Sequence, residues 1–215
     1  MAKFAPSLLA ADFLHLEDQL KLTEEVGVDL LHLDIMDGHF VPNLSFGPFI
    51  VEQVNRATDL PLDVHLMISN PEKYIDRYIE AGADYLTVHG EVIGDDPSLL
   101  DQIRSKGVRA GMTLNPDAGI EDYESLFEHL DLFLVMSVYA GFGGQKFIPA
   151  VLEKVKTAAR LRAERNLDFE IEIDGGINLE TGPQAREAGA DILVAGTAFF
   201  RAEEKRAFVH TLRGS

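Results

Sequence analysis

Apolar residues in this chain gather in short runs, bounded by Gly, Pro, Asp or Asn and separated by mixed polar stretches. The runs predict strands near residues 4–8, 30–36, 62–68, 84–89, 108–114, 131–138, 169–174 and 191–196. Three runs follow nearly the same phrase: Glu25-Val26-Gly27-Val28-Asp29, Glu80-Ala81-Gly82-Ala83-Asp84 and Glu187-Ala188-Gly189-Ala190-Asp191. A glycine placed so reads as the end of a helix, with a tight loop feeding the next strand. The three glycines lie 55 and 107 positions apart, and Lys106-Gly107-Val108 is a weaker copy 25 positions after Gly82. A βα unit of about 27 residues explains these spacings and gives eight units in 215 residues. Asn70-Pro71 and Asp96-Pro97 each pair an N-cap with Pro at the first helical position. Residues Ala150 to Arg165 predict a charged amphipathic helix whose basic residues form a solvated face. With no long insertion or linker, the pattern predicts one (β/α)8 TIM barrel over residues 1–215.

Composition narrows the partners. With 46% hydrophobic residues the chain can bury a sizeable core. Lys and Arg number 19 against 36 Asp and Glu, a formal charge of −17. Nucleic-acid backbones and anionic membranes recruit basic surplus, so neither is expected as a partner. The absence of cysteine excludes disulfides, zinc–thiolate sites and a cysteine nucleophile. The longest run of aliphatic, aromatic and Met residues, Leu132 to Met136, is far short of the roughly 18 residues of a membrane span. Met1 to Ser7 has no apolar core of a secretory signal, so a cytoplasmic location is expected.

In such barrels the chemistry lies at the C-terminal ends of the strands. Alternation along Leu31-His32-Leu33-Asp34-Ile35-Met36 puts His32, Asp34 and Met36 on one face and the aliphatic residues on the other. The same parity joins His65 to Met67 in the third strand and directs Asp174 away from Ile171 and Ile173 in the seventh. His32, Asp34, His65 and Asp174 should therefore converge inside the top of the barrel. Two imidazoles and two carboxylates suit one divalent cation per chain: Zn²⁺, Fe²⁺, Mn²⁺ or Co²⁺. Taken singly, each is equally an ordinary buried polar group with its own hydrogen bonds.

Glycine-rich loops follow the last three strands: Gly141-Phe142-Gly143-Gly144-Gln145, Gly175-Gly176 and Gly196-Thr197. One such loop is a turn, but three at neighbouring strand ends favour a backbone cradle for phosphate. No Lys or Arg lies within them, although Lys146 is adjacent. Met36, Met67 and Met136 share the inward parity and either fill the core or line the reacting centre. His89-Gly90-Glu91 and the inward Glu170 and Glu172 find no role in the sequence.

Pro6-Ser7-Leu8-Leu9-Ala10-Ala11-Asp12, His32 to Asn43, Asp63-Val64-His65-Leu66-Met67, Gly141 to Gln145 and Glu172 to Ile177 together resemble the ribulose-phosphate 3-epimerase family over nearly the whole chain. The resemblance implies a metal-dependent isomerase of the pentose phosphate and Calvin pathways, interconverting ribulose 5-phosphate and xylulose 5-phosphate. It implies His32, Asp34, His65 and Asp174 as metal ligands, with Asp34 and Asp174 also the acid/base pair. It further implies substrate contacts at Ser7, His65, Gly141, Phe142, Gly143, Gly144, Asp174, Gly175, Gly176, Gly196 and Thr197. The sequence departs from the family at Tyr139-Ala140, where an acidic residue or Asn followed by Pro is usual, and at Thr197, usually Ser. A phosphorylated ketose is the expected partner, in a homo-oligomer, with strands two and seven lying across the barrel from each other. A Schiff-base aldolase would need a strand-tail lysine, and a decarboxylase of the orotidine type a lysine at Met36; neither is present. The remaining rivals are an allulose 6-phosphate 3-epimerase and a phosphosugar-binding barrel without turnover.

Overall fold

The computed structural model describes residues 1–214. Eight strands form one parallel sheet: β1 (Lys3–Pro6), β2 (Leu31–Met36), β3 (Leu62–Met67), β4 (Tyr85–His89), β5 (Arg109–Leu114), β6 (Leu132–Met136), β7 (Glu170–Asp174) and β8 (Ile192–Ala195). Seven fall within their expected segments, trimmed by at most two residues at either end, and β1 begins one residue earlier, at Lys3. The order β1-β8-β7-β6-β5-β4-β3-β2 is that of a barrel, and a parallel bridge between Ser7 and His32 joins β1 to β2 at the seam. Strand β7 is separated from β2 by β1 and β8, so the two are three steps apart rather than diametrically opposed.

Helices α1 (Leu16–Val26), α2 (Pro48–Ala57), α3 (Ile75–Glu80), α4 (Gly90–Ile93), α5 (Ser98–Ser105), α6 (Leu152–Glu164), α7 (Thr181–Ala188), α8 (Thr197–Phe200) and α9 (Lys205–Arg213) connect or follow the strands, and a 3₁₀ segment, Glu121–His129, stands between β5 and β6. Asp96 accepts the Ser98 N–H at 2.9 Å, as an N-cap should, whereas the Asn70 side chain caps nothing and a 3₁₀ turn over Pro71–Lys73 starts that segment instead. The outward faces are aliphatic: Leu31, Leu33 and Ile35 of β2 are buried in one cluster with Leu20 of α1 and Val51 and Val54 of α2. Full burial of such side chains stabilises by about 1.5–3 kcal/mol each, so this shell holds the barrel and frees its inner face for polar groups.

The repeated Gly-x-Asp phrase has a definite job at the bottom of the barrel. Asp29 donates its N–H to the Phe4 carbonyl while its carboxylate accepts the Phe4 N–H at 2.7 Å. Asp84 clips Leu62, Asp131 clips Ala110 and Asp191 clips Ile171 in the same two-point way. Each aspartate thus satisfies the first backbone groups of the preceding strand, which the ladder alone leaves open.

Candidate functional site

The inward parity of β2, β3 and β7 brings His32, Asp34, His65 and Asp174 together, with one candidate ligand atom from each inside a 4.8 Å span. Asp34 is the hub. Its Oδ1 lies 3.3 Å from His32 Nε2 and 3.3 Å from His65 Nδ1, and its Oδ2 accepts the Ser7 hydroxyl at 2.7 Å. His32 Nε2 is fully buried and has no hydrogen-bond partner of good geometry, an orphaned polar atom that a bound cation would satisfy. The other ring nitrogen, Nδ1, is 2.5 Å from Asp63 Oδ2, the carboxylate support characteristic of metal-binding imidazoles. The donor set of two imidazoles and two carboxylates fits a divalent transition metal.

Electrostatics separate the carboxylates. Burial works against ionised Asp34, but His32 and His65 beside it outweigh that and hold the carboxyl far below its usual range. Burial raises Asp174, and the charge of Asp34 adds to it, pushing this carboxyl up to about 7. Burial likewise disfavours a charged His32, yet Asp63 and Asp34 keep it well above the ordinary histidine value. Deeper in the barrel, burial and the neighbouring Asp63 raise Glu172 well above a normal carboxyl.

Above the cluster a cavity of about 810 Å³ opens at the strand C-termini. Asp34 and Asp174 reach its wall, as do Ser7, Met36, Met67 and Met136, so the methionines are both buried and beside the acids. Its far side is built from Gly141, Phe142, Gly143, Gly144, Gly175, Gly176, Gly196 and Thr197. His65, expected to touch substrate, is instead fully buried and absent from the wall. Gly176 has φ +64°, and a Cβ there would sit 2.6 Å from the Phe147 nitrogen, so only glycine fits. A Cβ on Gly143 would meet only Leu9, at 3.8 Å.

The loop carrying the unusual Tyr139-Ala140 is tied down on all sides. Gln145 donates to the carbonyls of Tyr139 and Phe142 at 2.7 and 2.9 Å, Asn43 donates to Gly141 at 2.7 Å, and Ala140 donates to Asn115 Oδ1 at 3.1 Å. These bonds hold the loop without a proline.

Sequence reasoning missed several members. Asp63 shares the parity of His65 and could have been read from alternation; its pairing with His32 depends on the β2–β3 register. Arg201, at the end of α8, joins Lys146 on the cavity wall. Glu170 receives Lys3 at 2.7 Å and the Tyr85 hydroxyl at 2.9 Å, closing the barrel floor away from the site. His89 and Glu91 adjoin the cluster from β4, His89 Nε2 lying 2.9 Å from His65 Nε2.

Among the described residues no helix is long and apolar enough to cross a membrane. The fold is shared with distant proteins: a tryptophan synthase α-subunit mutant from Pyrococcus furiosus matches with TM-score 0.68 at 15% identity, covering 100% of this chain and 98% of that one. The KGPDC of Streptococcus mutans matches with TM-score 0.70 at 12% identity over 100% and 96% of the two chains. Relatives by sequence are nearer. A protein of Bacillus subtilis named ribulose-phosphate 3-epimerase is 48% identical over 216 residues, 100% of both chains. One of the same name from Synechocystis is 45% identical over 214 residues, 98% of this chain and 93% of its own. The sequence model of the ribulose-phosphate 3-epimerase family matches residues 3–200, a span that contains every member of the cluster and every glycine loop of the cavity. On that match and those identities, the chain belongs to the ribulose-phosphate 3-epimerase family.

Proposed function

We propose that this protein epimerises C3 of a ketose phosphate, D-ribulose 5-phosphate to D-xylulose 5-phosphate, with Asp34 and Asp174 as the two acid/base groups. The observation that carries the reading is the meeting of these carboxylates at a cavity floor with their proton affinities driven apart, one held ionised and the other raised to about 7. His32, Asp34, His65 and Asp174 would hold one divalent cation, Zn²⁺, Fe²⁺, Mn²⁺ or Co²⁺. When bound, such a cation supplies electrophilic stabilisation of the negative charge that develops when a C–H beside a ketone loses its proton.

The protein's own groups do the rest. Inversion at carbon needs proton removal on one face and delivery on the other, and two carboxylates from separate strands provide this, where a single base would not. Ser7 fixes the Asp34 carboxylate by its 2.7 Å bond, orienting one oxygen and leaving the other to the cluster. Met36, Met67 and Met136 border the same space with polarisable sulfur and no competing proton. The glycine loops, with Lys146 and Arg201, suit the phosphate end, where backbone N–H groups and two cations would favour an anion locally. The cytoplasm is the setting we infer, and exposed Leu14, Leu44 and Phe49 support a homo-oligomer.

Turnover of ribulose 5-phosphate beside allulose 6-phosphate on metal-analysed protein tests the reading. Stripping with a chelator should abolish epimerisation, and Co²⁺, Mn²⁺, Zn²⁺ or Fe²⁺ should restore it, with the pentulose preferred. Full activity in demonstrably metal-free protein would refute the metal centre, and inactivity on both sugars would leave a binding barrel.

A further inference from the structure

The cluster does not end at His65. His65 Nε2 is 2.9 Å from His89 Nε2, the ring centroids are 5.1 Å apart and the planes differ by 27°. That is the edge-to-edge, near-coplanar arrangement of an N–H···N bond between imidazoles. His89 Nδ1 is in turn 3.2 Å from Glu91 Oε2. Glu91 is itself anchored, its Oε1 accepting the Asn115 N–H at 2.7 Å. Asn115 reaches on through its side-chain oxygen to the Ala140 N–H of the cavity loop.

Proton counting along this line has one solution that leaves His65 able to bind a cation. Because His89 occupies Nε2, only Nδ1 of His65 faces Asp34, and it can be a ligand only without a proton. The His65 proton must then sit on Nε2, where it needs an acceptor. His89 Nε2 accepts it only if the His89 proton is on Nδ1. A carboxylate at Nδ1 selects that form, and Glu91 supplies one. We infer that Glu91 and His89 are positioning residues that set the tautomer of His65, leaving its Nδ1 lone pair directed at the cluster. The inference rests on the metal centre of the preceding subsection for its purpose, but the tautomers are a property of the chain alone. His89 and Phe40 pack with ring centroids 4.5 Å apart, which fixes the His89 ring in this line. For His32 the supporting carboxylate bonds the ring directly, through Asp63; for His65 the support comes through a second imidazole.

Full-length protein labelled with ¹⁵N at histidine and freed of metal by a chelator allows the ring protons to be located by long-range ¹H–¹⁵N correlation. The spectrum of His89→Leu identifies the His89 resonances by their loss. Wild-type protein should show His65 protonated on Nε2 and His89 on Nδ1. In His89→Leu the single His65 tautomer should be lost, and the affinity for Co²⁺, read from its d–d absorption, should fall about 10- to 100-fold. His89→Gln, which restores an acceptor, should recover most of that affinity. Glu91→Ala changes a side chain that is partly exposed and serves where His89→Leu fails to fold; it should shift the same resonances and weaken Co²⁺ in the same direction. Wild-type His65 without a proton on Nε2, or folded variants with unchanged His65 resonances and unchanged Co²⁺ affinity, would overturn the relay. Wild-type protein that fails to bind Co²⁺ would overturn the metal centre instead, and the ring protons would still decide the relay.

Discussion

Two carboxyls with oxygens within 4.8 Å of each other, one buried and one at the cavity wall, cannot both ionise cheaply, and the histidines decide which one does. Asp34 lies against both imidazoles and stays charged, while Asp174 is left to hold a proton up to about pH 7. Replacing either by Asn keeps size and one oxygen but removes the base. Interconversion should fall about 10²- to 10⁴-fold in each variant, with metal content measured alongside. In deuterated water Asp34→Asn and Asp174→Asn should label opposite epimers, because each retains the base for one face. Variants that retain metal and still invert C3 at near wild-type rate would assign the proton to another group. Gly143→Val tests the phosphate side: its Cβ meets no crowding within the protein, so a raised KM with metal content unchanged would come from the ligand. An unchanged KM would make that loop a turn only. At this scale strand parity alone located His32, Asp34, His65 and Asp174. Asp63 was open to reading by alternation, but its pairing with His32, like that of His65 with His89, depends on register across strands, which a single strand's alternation does not contain.

The elements were the most legible part of the chain, since each β-run is buried on its outer face by aliphatic residues and bounded by turn residues. What the repeated Gly-x-Asp phrase left unsaid was the work of its aspartate. In each copy that residue clips the start of the preceding strand through both its N–H and its carboxylate. Asp191 also receives Arg162 at 2.5 Å, tying α6 to the same point. Asp191→Ala should therefore cost about 1–3 kcal/mol in denaturant unfolding, with KM and metal content unchanged, and Asp191→Asn should cost less. Loss of metal affinity in Asp191→Ala would show that the barrel floor and the site are coupled. The 3₁₀ segment Glu121–His129 carried no clear helical signal, and the Asn70 cap failed because local chemistry is overridden where a short 3₁₀ turn already satisfies the backbone.

Over the whole molecule the candidate ligands span β2, β3 and β7, so a bound cation would stitch distant parts of the ring. At a hundred times its dissociation constant an ion adds about 2.7 kcal/mol, which for a chain of this size is roughly 5–10 °C in Tm. The effect should depend on pH. Asp174 titrates near 7 in the folded chain against an ordinary 3.8, so its proton stabilises the metal-free fold below about pH 4, and that stability is lost as pH rises through 7. Raised His32 and Glu172 act in the same direction. The Tm of metal-free protein should thus fall between pH 5 and 8, with a shallower fall in Asp174→Asn, and the stabilisation by Co²⁺ should grow as protons cease to compete. A flat Tm across that range would contradict the assigned protonation. The most direct test of the two-carboxylate account is wild-type turnover of ribulose 5-phosphate in deuterated water, stopped at early conversion and read by mass spectrometry. The account predicts xylulose 5-phosphate carrying solvent deuterium at C3 while the unconverted substrate pool remains protiated. Product that retains the substrate's own C3 hydrogen would contradict it.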